Sequence, residues 1–209
     1  MQNTNPYTVV EQFEREVALY AGSKYAVAVD SCSNALFLCL KYINKTDTII
    51  TIPKRTYISV PCSIIHAGYR VMFKDIDWSG IYQLSPLPVF DGATRFKKNM
   101  YTGGMHCLSF HAKKHLKIGK GGMILTDNKE EADWLRLARF NGREQIPYEA
   151  CDFRMIGWNF YMTNMDAARG LWLLDSIPDD NEDIRNPYPD LSKYNIESAR
   201  SGDKIIRYD

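Results

Sequence analysis

Hydrophobic positions in the first part of the chain switch between helical and strand-like spacing. Apolar residues recur every three or four positions over residues 10–20, which predicts an amphipathic helix that ends at Gly22. Residues 25–30 form a short apolar run of the kind found in strands that are buried on both faces. From Ser33 the spacing is helical again. The pattern therefore predicts a strand that passes directly into a helix at residues 31–33.

The same alternation continues along most of the chain. Further strands are predicted at residues 48–52, 69–76, 89–91, 106–110 and 123–126, and further helices at residues 59–67, 130–140 and 164–174. A hairpin-like return is expected around residues 118–121. This order is typical of an α/β fold with a mainly parallel sheet sandwiched by helices. Residues 178–209 are polar and rich in Asp and Pro, so we expect an α/β domain over residues 1–177 and a loosely packed tail after it.

Composition excludes several classes of partner. The 209 residues carry 26 Lys and Arg against 25 Asp and Glu, a formal net charge of +1, which gives no global attraction to nucleic acid or to an anionic membrane. No run of eighteen apolar residues and no signal-like N-terminus are present, so a cytoplasmic protein without membrane contact is expected. The five cysteines form no C-x-x-C pair and the four histidines no H-E-x-x-H motif, so no metal is expected.

The predicted strand-to-helix turn at residues 30–35 is a candidate phosphate site. Backbone amides and the hydroxyls of Ser31 and Ser33 meet there at a helix N-terminus, where the helix dipole favours an anion. Ser and Asn are also preferred N-cap residues without any ligand. Both interpretations remain open on this segment alone.

Two further segments carry charged residues at strand ends. Asp91 ends a predicted strand and precedes Gly92, so its carboxylate either faces the crevice where α/β proteins bind ligands or caps the next turn. Residues 113–120 form a basic cluster after another strand, which is either a binding element or a solvated turn. Asp75 and Asp77 resemble the acidic pair of metal-dependent glycosyltransferases, but a solvated strand end explains them better, because two acids two positions apart are common and no further ligands accompany them.

Taken in order, several blocks of the sequence resemble the DegT/StrS family of pyridoxal-phosphate aminotransferases. The blocks are residues 13–17, 25–36, 91–94, 109–114, 119–123 and 157–162, and the resemblance covers about residues 8–175. Members of this family are fold-type I enzymes that aminate keto nucleotide sugars. The resemblance implies pyridoxal phosphate as cofactor, glutamate as amino donor, a keto nucleotide sugar as acceptor, and a homodimer with composite active sites.

The resemblance also assigns roles to individual residues. Lys114 matches the lysine that binds the cofactor covalently, and Asp91 matches the acid that holds the pyridine nitrogen. A carboxylate at the ring nitrogen keeps it protonated, and a lysine amine acts as general acid and base after it is freed. The other positions that match cofactor-binding residues are Ser33, Asn34 and Ser109 for the phosphate, Tyr57 for stacking on the ring, Thr94 near the phenolic oxygen, and Asn159 for the phosphate in the partner subunit.

Some positions depart from the family pattern. Thr94 replaces a usual Gln or His, Lys120 a usual Glu, and Tyr161 a usual Arg. A strand and a helix normally found between residues 77 and 91 are missing, and the small C-terminal domain is reduced to the polar tail. The chain therefore resembles a shortened member of the family.

Three alternatives to an aminotransferase follow. A sugar dehydratase of the same family has histidine at the lysine position, and here His115 comes one place later. A non-catalytic descendant, or partner subunit, fits the shortening. A metal-dependent glycosyltransferase would use Asp75 and Asp77.

Overall fold

Seven strands and five α-helices follow one another along residues 5–208, the part of the chain that the computed structural model describes. The helices are α1 (Thr8–Ala21), α2 (Cys32–Ile43), α3 (Ser59–His66), α4 (Lys129–Ala138) and α5 (Asn164–Leu174). The strands are β1 (Tyr25–Val29), β2 (Ile49–Pro53), β3 (Arg70–Lys74), β4 (Tyr82–Gln83), β5 (Val89–Asp91), β6 (Met105–Ser109) and β7 (Gly122–Thr126). Single turns of 3₁₀ helix cover Tyr148–Ala150, Leu191–Lys193 and Asn195–Ser198. Within residues 5–208, no helix combines the length and apolar character that a bilayer span requires.

Five strands form one mixed sheet in the order β1-β7-β6-β5-β4. β7 runs antiparallel to both β1 and β6, β5 runs parallel to β6, and β4 pairs antiparallel with β5. β2 and β3 form a separate parallel pair on either side of α3. The α/β fold class is confirmed, but the sheet is not mainly parallel as expected. The reason lies in two connections that contain no crossover helix. Residues 110–121 lead from β6 back into an antiparallel β7, in agreement with the hairpin-like return expected at residues 118–121, and a short turn joins β4 to β5.

Helices cover both faces of the large sheet. On β1, Val27 and Val29 belong to a buried cluster with α2, α3 and α4, whereas Ala26 and Ala28 belong to a second cluster with α1 and α5. Successive side chains of a strand point to opposite faces, so a strand between two helical layers must be apolar at every position. The continuous apolar run of β1 is explained by this arrangement, and the predicted sandwich is confirmed.

A buried ion pair joins α1, β1 and the end of α4. The side chains of Glu14 and Arg139 are 4% and 2% exposed, and Arg139 Nη1 donates to Glu14 Oε1. Glu14 Oε1 also accepts from the Ala28 amide at 2.9 Å, and Arg139 donates to the Ala28 carbonyl. Both charges are therefore paired and bonded to the same strand residue.

The segment after α5 packs back onto the domain. Leu191 and Ile196 are buried in the cluster that contains Val27. The Glu197 carboxylate accepts a hydrogen bond of 2.6 Å from the Phe73 amide of β3. The polar composition predicted a loosely packed tail, because the few apolar side chains of this segment show no recognisable period. In the structure Leu191 and Ile196 anchor the segment.

Candidate functional site

A cleft of about 370 Å³ lies at the C-terminal ends of β5 and β6 and the start of α2. Since β1, β5 and β6 run in the same direction, their C-terminal ends meet at one edge of the sheet, where α/β proteins bind ligands. Six of the predicted site residues line this cleft: Ser33, Tyr57, Asp91, Thr94, Ser109 and Lys114. The fold therefore brings together residues that are widely separated in the sequence.

Asp91 lies at the floor of the cleft, at the end of β5. Its side chain is buried and accepts hydrogen bonds from the Ala93 amide at 3.0 Å and from Tyr82 Oη at 2.8 Å. Tyr82 lies directly opposite Asp91 in the β4–β5 ladder. Because Tyr82 gives its proton to Asp91, the Thr56 hydroxyl is the donor in its contact with Tyr82. The result is a buried chain of hydrogen bonds from Thr56 through Tyr82 to the carboxylate.

Burial and hydrogen bonding act on Asp91 in opposite directions. Burial raises the pKa of the Asp91 carboxyl above its usual range, because the charged form loses its hydration. The Ala93 amide, the Tyr82 hydroxyl and the charge of Lys114 lower that pKa and limit the rise. Burial and the neighbouring Asp91 also raise the pKa of the Cys32 thiol, which faces the same carboxylate at 3.9 Å. Asp91 is therefore a desolvated carboxylate that accepts hydrogen bonds from the Ala93 amide, the Tyr82 hydroxyl and the Cys32 thiol.

The β1–α2 turn forms the serine-rich end of the cleft. Ser31 has an extended backbone and its hydroxyl accepts from the Asn34 amide at 3.2 Å, so Ser31 is the N-cap of α2. Ser33 Oγ donates to Ser59 Oγ at 2.8 Å. Gly122 packs directly on this turn, and a Cβ there would lie 2.5 Å from the Ser31 carbonyl carbon. A side chain at position 122 would displace the turn.

Asn34 does not line the cleft. Its side-chain amide donates to Asp30 Oδ1 at 2.7 Å, and Lys120 Nζ lies 3.5 Å from the other oxygen of Asp30. The structure thus places the Asn34 side chain on Asp30, beside the turn, and not among the residues that line the cleft.

Lys114 enters the cleft from the turn that follows β6. Its backbone amide donates to the His111 carbonyl at 2.8 Å, which closes the turn, and its side chain is partly buried. Lys113 and Lys120 also line the cleft. His115 does not line it, and its Nε2 lies 2.8 Å from the Glu182 carbonyl oxygen. Lysine and not the neighbouring histidine therefore faces the cleft.

Three other predicted residues differ in their surroundings. Thr94 is buried and its hydroxyl donates to the Gly80 carbonyl at 3.1 Å. Tyr57 is exposed at the mouth, with its ring centroid 6.4 Å from that of Tyr188. Asn159 is exposed and does not line the cleft, and its backbone forms an isolated antiparallel β-bridge with that of Phe140.

The cleft also contains side chains that the sequence did not point to. Trp78, Asn186 and Tyr188 line it together with the predicted residues. Burial, followed by the charge of Asp91, raises the pKa of Tyr188 to about 12, so this hydroxyl stays protonated at neutral pH. Pro187 and Pro189 flank Tyr188 and predict a turn, but this pattern does not indicate that the Tyr188 side chain lies in the same cleft as Asp91.

One member of the acidic pair after β3, Asp75, has cationic partners. Asp75 lies 2.8 Å from Lys54 Nζ and 3.0 Å from Arg55 Nη1. These ion pairs occupy the Asp75 carboxylate, one of the two that a glycosyltransferase-like metal site would need, and so argue against that alternative.

Comparison with known proteins identifies the family. The model of the DegT/DnrJ/EryC1/StrS aminotransferase family matches residues 2–89 and 91–191. Spore coat polysaccharide biosynthesis protein SpsC of Bacillus subtilis is 30% identical over 224 residues, which cover 81% of this chain and 57% of that protein. GDP-perosamine synthase of Caulobacter vibrioides is 27% identical over 243 residues, which cover 95% of this chain and 64% of that protein.

Solved structures share the fold. The Helicobacter pylori aminotransferase PseC, described as involved in pseudoaminic acid biosynthesis, superimposes with a TM-score of 0.67 at 18% identity, over 83% of this chain and 58% of that one. AtS13 from Actinomadura melliaura superimposes with a TM-score of 0.68 at 21% identity, over 80% of this chain and 60% of that one.

The chain is shorter than these relatives. It spans 57% and 64% of the two curated relatives named above. Both aligned spans exceed the 209 residues of this chain, so the relatives carry residues inside the matched region that this chain lacks. The break in the family match at residue 90 falls in the stretch where the shortening was expected. Because the family model matches almost the whole sequence, the chain belongs to the DegT/DnrJ/EryC1/StrS aminotransferase family.

Proposed function

We propose that the chain binds pyridoxal phosphate in the cleft and transfers an amino group from an amino acid, in the first instance glutamate, to a keto nucleotide sugar. The observation that carries the proposal is that Lys114 and Asp91 line one cleft with the Ser33 turn. Two relatives support the acceptor class by their names: GDP-perosamine synthase and the UDP-4-amino-4,6-dideoxy-N-acetyl-β-L-altrosamine transaminase of Campylobacter jejuni.

The residues of the cleft fit this cofactor chemically. Phosphate requires hydrogen-bond donors and a favourable dipole, which the hydroxyls of Ser33 and Ser109 and the N-terminus of α2 supply. The protonated pyridine nitrogen requires an anionic partner, and Asp91 is a buried carboxylate with a raised pKa that gains from a cation. The aldehyde requires an amine, and Lys114 supplies it.

The mechanism follows from what each side chain can do. Pyridoxal phosphate, when bound, supplies an electron sink for the negative charge that develops on the substrate carbon. Asp91 would hold the proton on the ring nitrogen, while the Tyr82 and Ala93 donors keep the carboxylate ionised and oriented. Lys114 would hold the cofactor covalently at rest. Once displaced by the amino acid, its amine would take the proton from the substrate α-carbon as general base and, as general acid, would deliver it to the cofactor carbon that the lysine had occupied.

The same cleft favours transamination over the dehydratase alternative. A lysine amine is the base that amino transfer needs, and Lys114 faces the cleft. His115, which would replace it if the alignment slipped by one position, lies outside the cleft near Glu182.

We further propose a homodimer in which Asn159 completes the site of the partner subunit. Asn159 is exposed and lies outside the cleft of its own chain, as a residue that acts across an interface must. A two-fold axis would make both sites composite. The polar segment after residue 177 is proposed to stand in for the small C-terminal domain of longer relatives.

The test is to locate the bound cofactor. Reconstitution with pyridoxal phosphate, borohydride reduction and peptide mass mapping should find the pyridoxyl group on Lys114. Lys114→Ala should abolish this adduct, and the matched control Lys117→Ala, an exposed lysine in the same turn, should leave it on Lys114. The wild-type protein should also react with glutamate in a half-reaction followed by absorbance. An adduct on another lysine, or none, would refute the assignment.

A further inference from the structure

Two cavities share a single wall of side chains. The cleft that contains Asp91 and Lys114 adjoins a groove of about 690 Å³, and Trp78, Asn186 and Tyr188 line both. The rings of Trp78 and Tyr188 lie nearly parallel, at 14°, with their centroids 6.1 Å apart. Because the same side chains face both cavities, the wall is one layer thick.

Two of the three wall residues, Asn186 and Tyr188, come from a segment that is anchored at both ends, which we call the strap (residues 184–190). Before it, Asp183 accepts from Arg95 Nε and Nη2 at 2.9 and 2.7 Å and from Ser79 Oγ at 3.0 Å. At its end, Asp190 lies 3.3 Å from Lys54 Nζ. These contacts fix where the strap crosses the cleft.

Backbone hydrogen bonds support the same two ends. The Ile184 amide donates to the Thr94 carbonyl at 2.9 Å, and the amide of the buried Leu191 donates to the Lys54 carbonyl at 2.8 Å. Between these points, Tyr188 packs against Trp78 and Tyr57. The strap is therefore a bridge whose ends are bonded to the domain and whose middle presents an aromatic ring to the cleft.

We propose that the strap forms the acceptor side of the cleft, and that Tyr188, backed by Trp78, binds the sugar ring of the substrate. This inference rests on the proposed function, which makes a keto sugar the acceptor. The strap residues that line the cleft, Asn186 and Tyr188, carry no charge, whereas the cations of the cleft come from residues 113–120. An amino-acid donor with its carboxylates matches those cations.

A sugar ring matches the wall. One face of a pyranose is made of C–H groups, which pack against an aromatic ring, and its hydroxyls need nearby donors and acceptors. The amide of Asn186 and the hydroxyl of Tyr188, protonated at neutral pH, provide both. The strap thus supplies the contact surface that the shortened chain otherwise lacks.

Calorimetry with defined probes tests the inference. We would measure binding of UDP-N-acetylglucosamine and GDP-mannose, with UDP and GDP alone as references. The wild-type chain should bind at least one nucleotide sugar more tightly than its nucleotide. Tyr188→Ala should weaken binding of that nucleotide sugar about tenfold, leave the nucleotide unaffected, and so remove the difference. Tyr188→Phe should keep most of the difference, because the ring remains.

Two further variants separate the contact from damage to the fold. Asn186→Ala changes an exposed position and should reduce the sugar-dependent difference by a smaller factor, about threefold. Tyr208→Ala, which removes an exposed tyrosine of the same polar segment outside the cleft, should leave the sugar-dependent difference unchanged. The inference is overturned if the wild-type chain binds each nucleotide sugar no more tightly than its nucleotide, or if Tyr188→Ala keeps the difference.

Cofactor uptake and the glutamate half-reaction distinguish this result from a failure of the proposed function. Both are measured on the wild-type chain, because neither of them requires the sugar acceptor. A wild-type chain that neither takes up pyridoxal phosphate nor reacts with glutamate refutes the proposed function, whereas the sugar-dependent binding difference tests the strap by itself.

Discussion

Removal of one buried hydroxyl, in Tyr82→Phe, should destabilise the cofactor-free protein in a pH-dependent way. Tyr82 Oη donates to Asp91 at 2.8 Å, and both side chains are buried. A hydrogen bond to an ionised group contributes about 1.5–3 kcal/mol, and one between neutral groups about 0.5–1.5 kcal/mol. The larger loss applies above the Asp91 pKa, where the carboxylate is charged. The smaller applies below it.

The same substitution also removes the partner of the Thr56 hydroxyl. Neither hydroxyl titrates near neutral pH, so this contribution is the same at every pH used. The difference in the stability loss between two pH values therefore isolates the bond to Asp91.

Urea unfolding of wild type and Tyr82→Phe between about pH 4 and pH 8 measures this difference. With a slope of about 2 kcal/mol per molar urea, the midpoint at neutral pH should fall by about 1 M, and by less at acid pH. Tyr101→Phe is the matched control: its hydroxyl bonds to the Gly104 carbonyl and the Asp127 amide, which do not titrate. A stability loss for Tyr82→Phe that is equal at all pH values would refute the role given to Tyr82.

Three other experiments give defined expectations. Asp91→Asn should raise the free energy of unfolding of the cofactor-free protein at neutral pH, and mass mapping should still find the cofactor adduct while the glutamate half-reaction loses most of its rate. The stability gain arises because the pKa of Asp91 is raised in the folded protein, so ionisation of this carboxyl lowers the stability of the wild type as the pH rises through that pKa. In acid the carboxyl is neutral, and the gain from Asp91→Asn should vanish. Glu14→Gln should cost about 3–5 kcal/mol in urea unfolding, because it leaves the Arg139 charge buried without its partner. Mixing inactive Lys114→Ala with inactive Asn159→Ala subunits should restore part of the activity if the sites are composite.

For each of these three expectations, one result would contradict it. An Asp91→Asn protein with unimpaired half-reaction kinetics would make the carboxylate a turn cap only. For the ion pair, Glu16→Gln on the exposed side of α1 is the control, and equal losses for both variants would contradict the buried pair. A fully active monomer in sedimentation experiments would exclude the composite site.

The sequence predicted those elements whose signal is local. Each helix and strand expected from spacing is present, because apolar residues that recur with a period of 3.6 or 2 can be recognised within a few consecutive positions. β4 has two residues, which is too short for any period, and it was missed. The expected return at residues 118–121 indicated that β7 runs opposite to β6. The place of β7 between β1 and β6 depends on a partner far away in the chain, so a local pattern did not determine it.

The same limit applies to the cleft. Asp91, Lys114 and the Ser33 turn were predicted from short motifs, and they lie in one cleft. Tyr82 was not predicted, because its role depends on lying opposite Asp91 in an unpredicted strand. Tyr188 was not predicted either, since only the anchors of the strap bring a residue of the polar segment to the cleft. In both cases the informative relation is a contact between distant residues.

The contact of Gly122 with the Ser31–Cys32 backbone has a consequence for the order of events during folding. The serine turn lies near the beginning of the chain, whereas the glycine that packs on it begins β7, far downstream. During synthesis the turn can leave the ribosome early, but its supporting surface follows only after β7 has been made and has paired between β1 and β6. Such a non-local site forms late. A ligand that needs this turn in place would then report on completion of the whole sheet, and would stabilise finished molecules in preference to partly made ones.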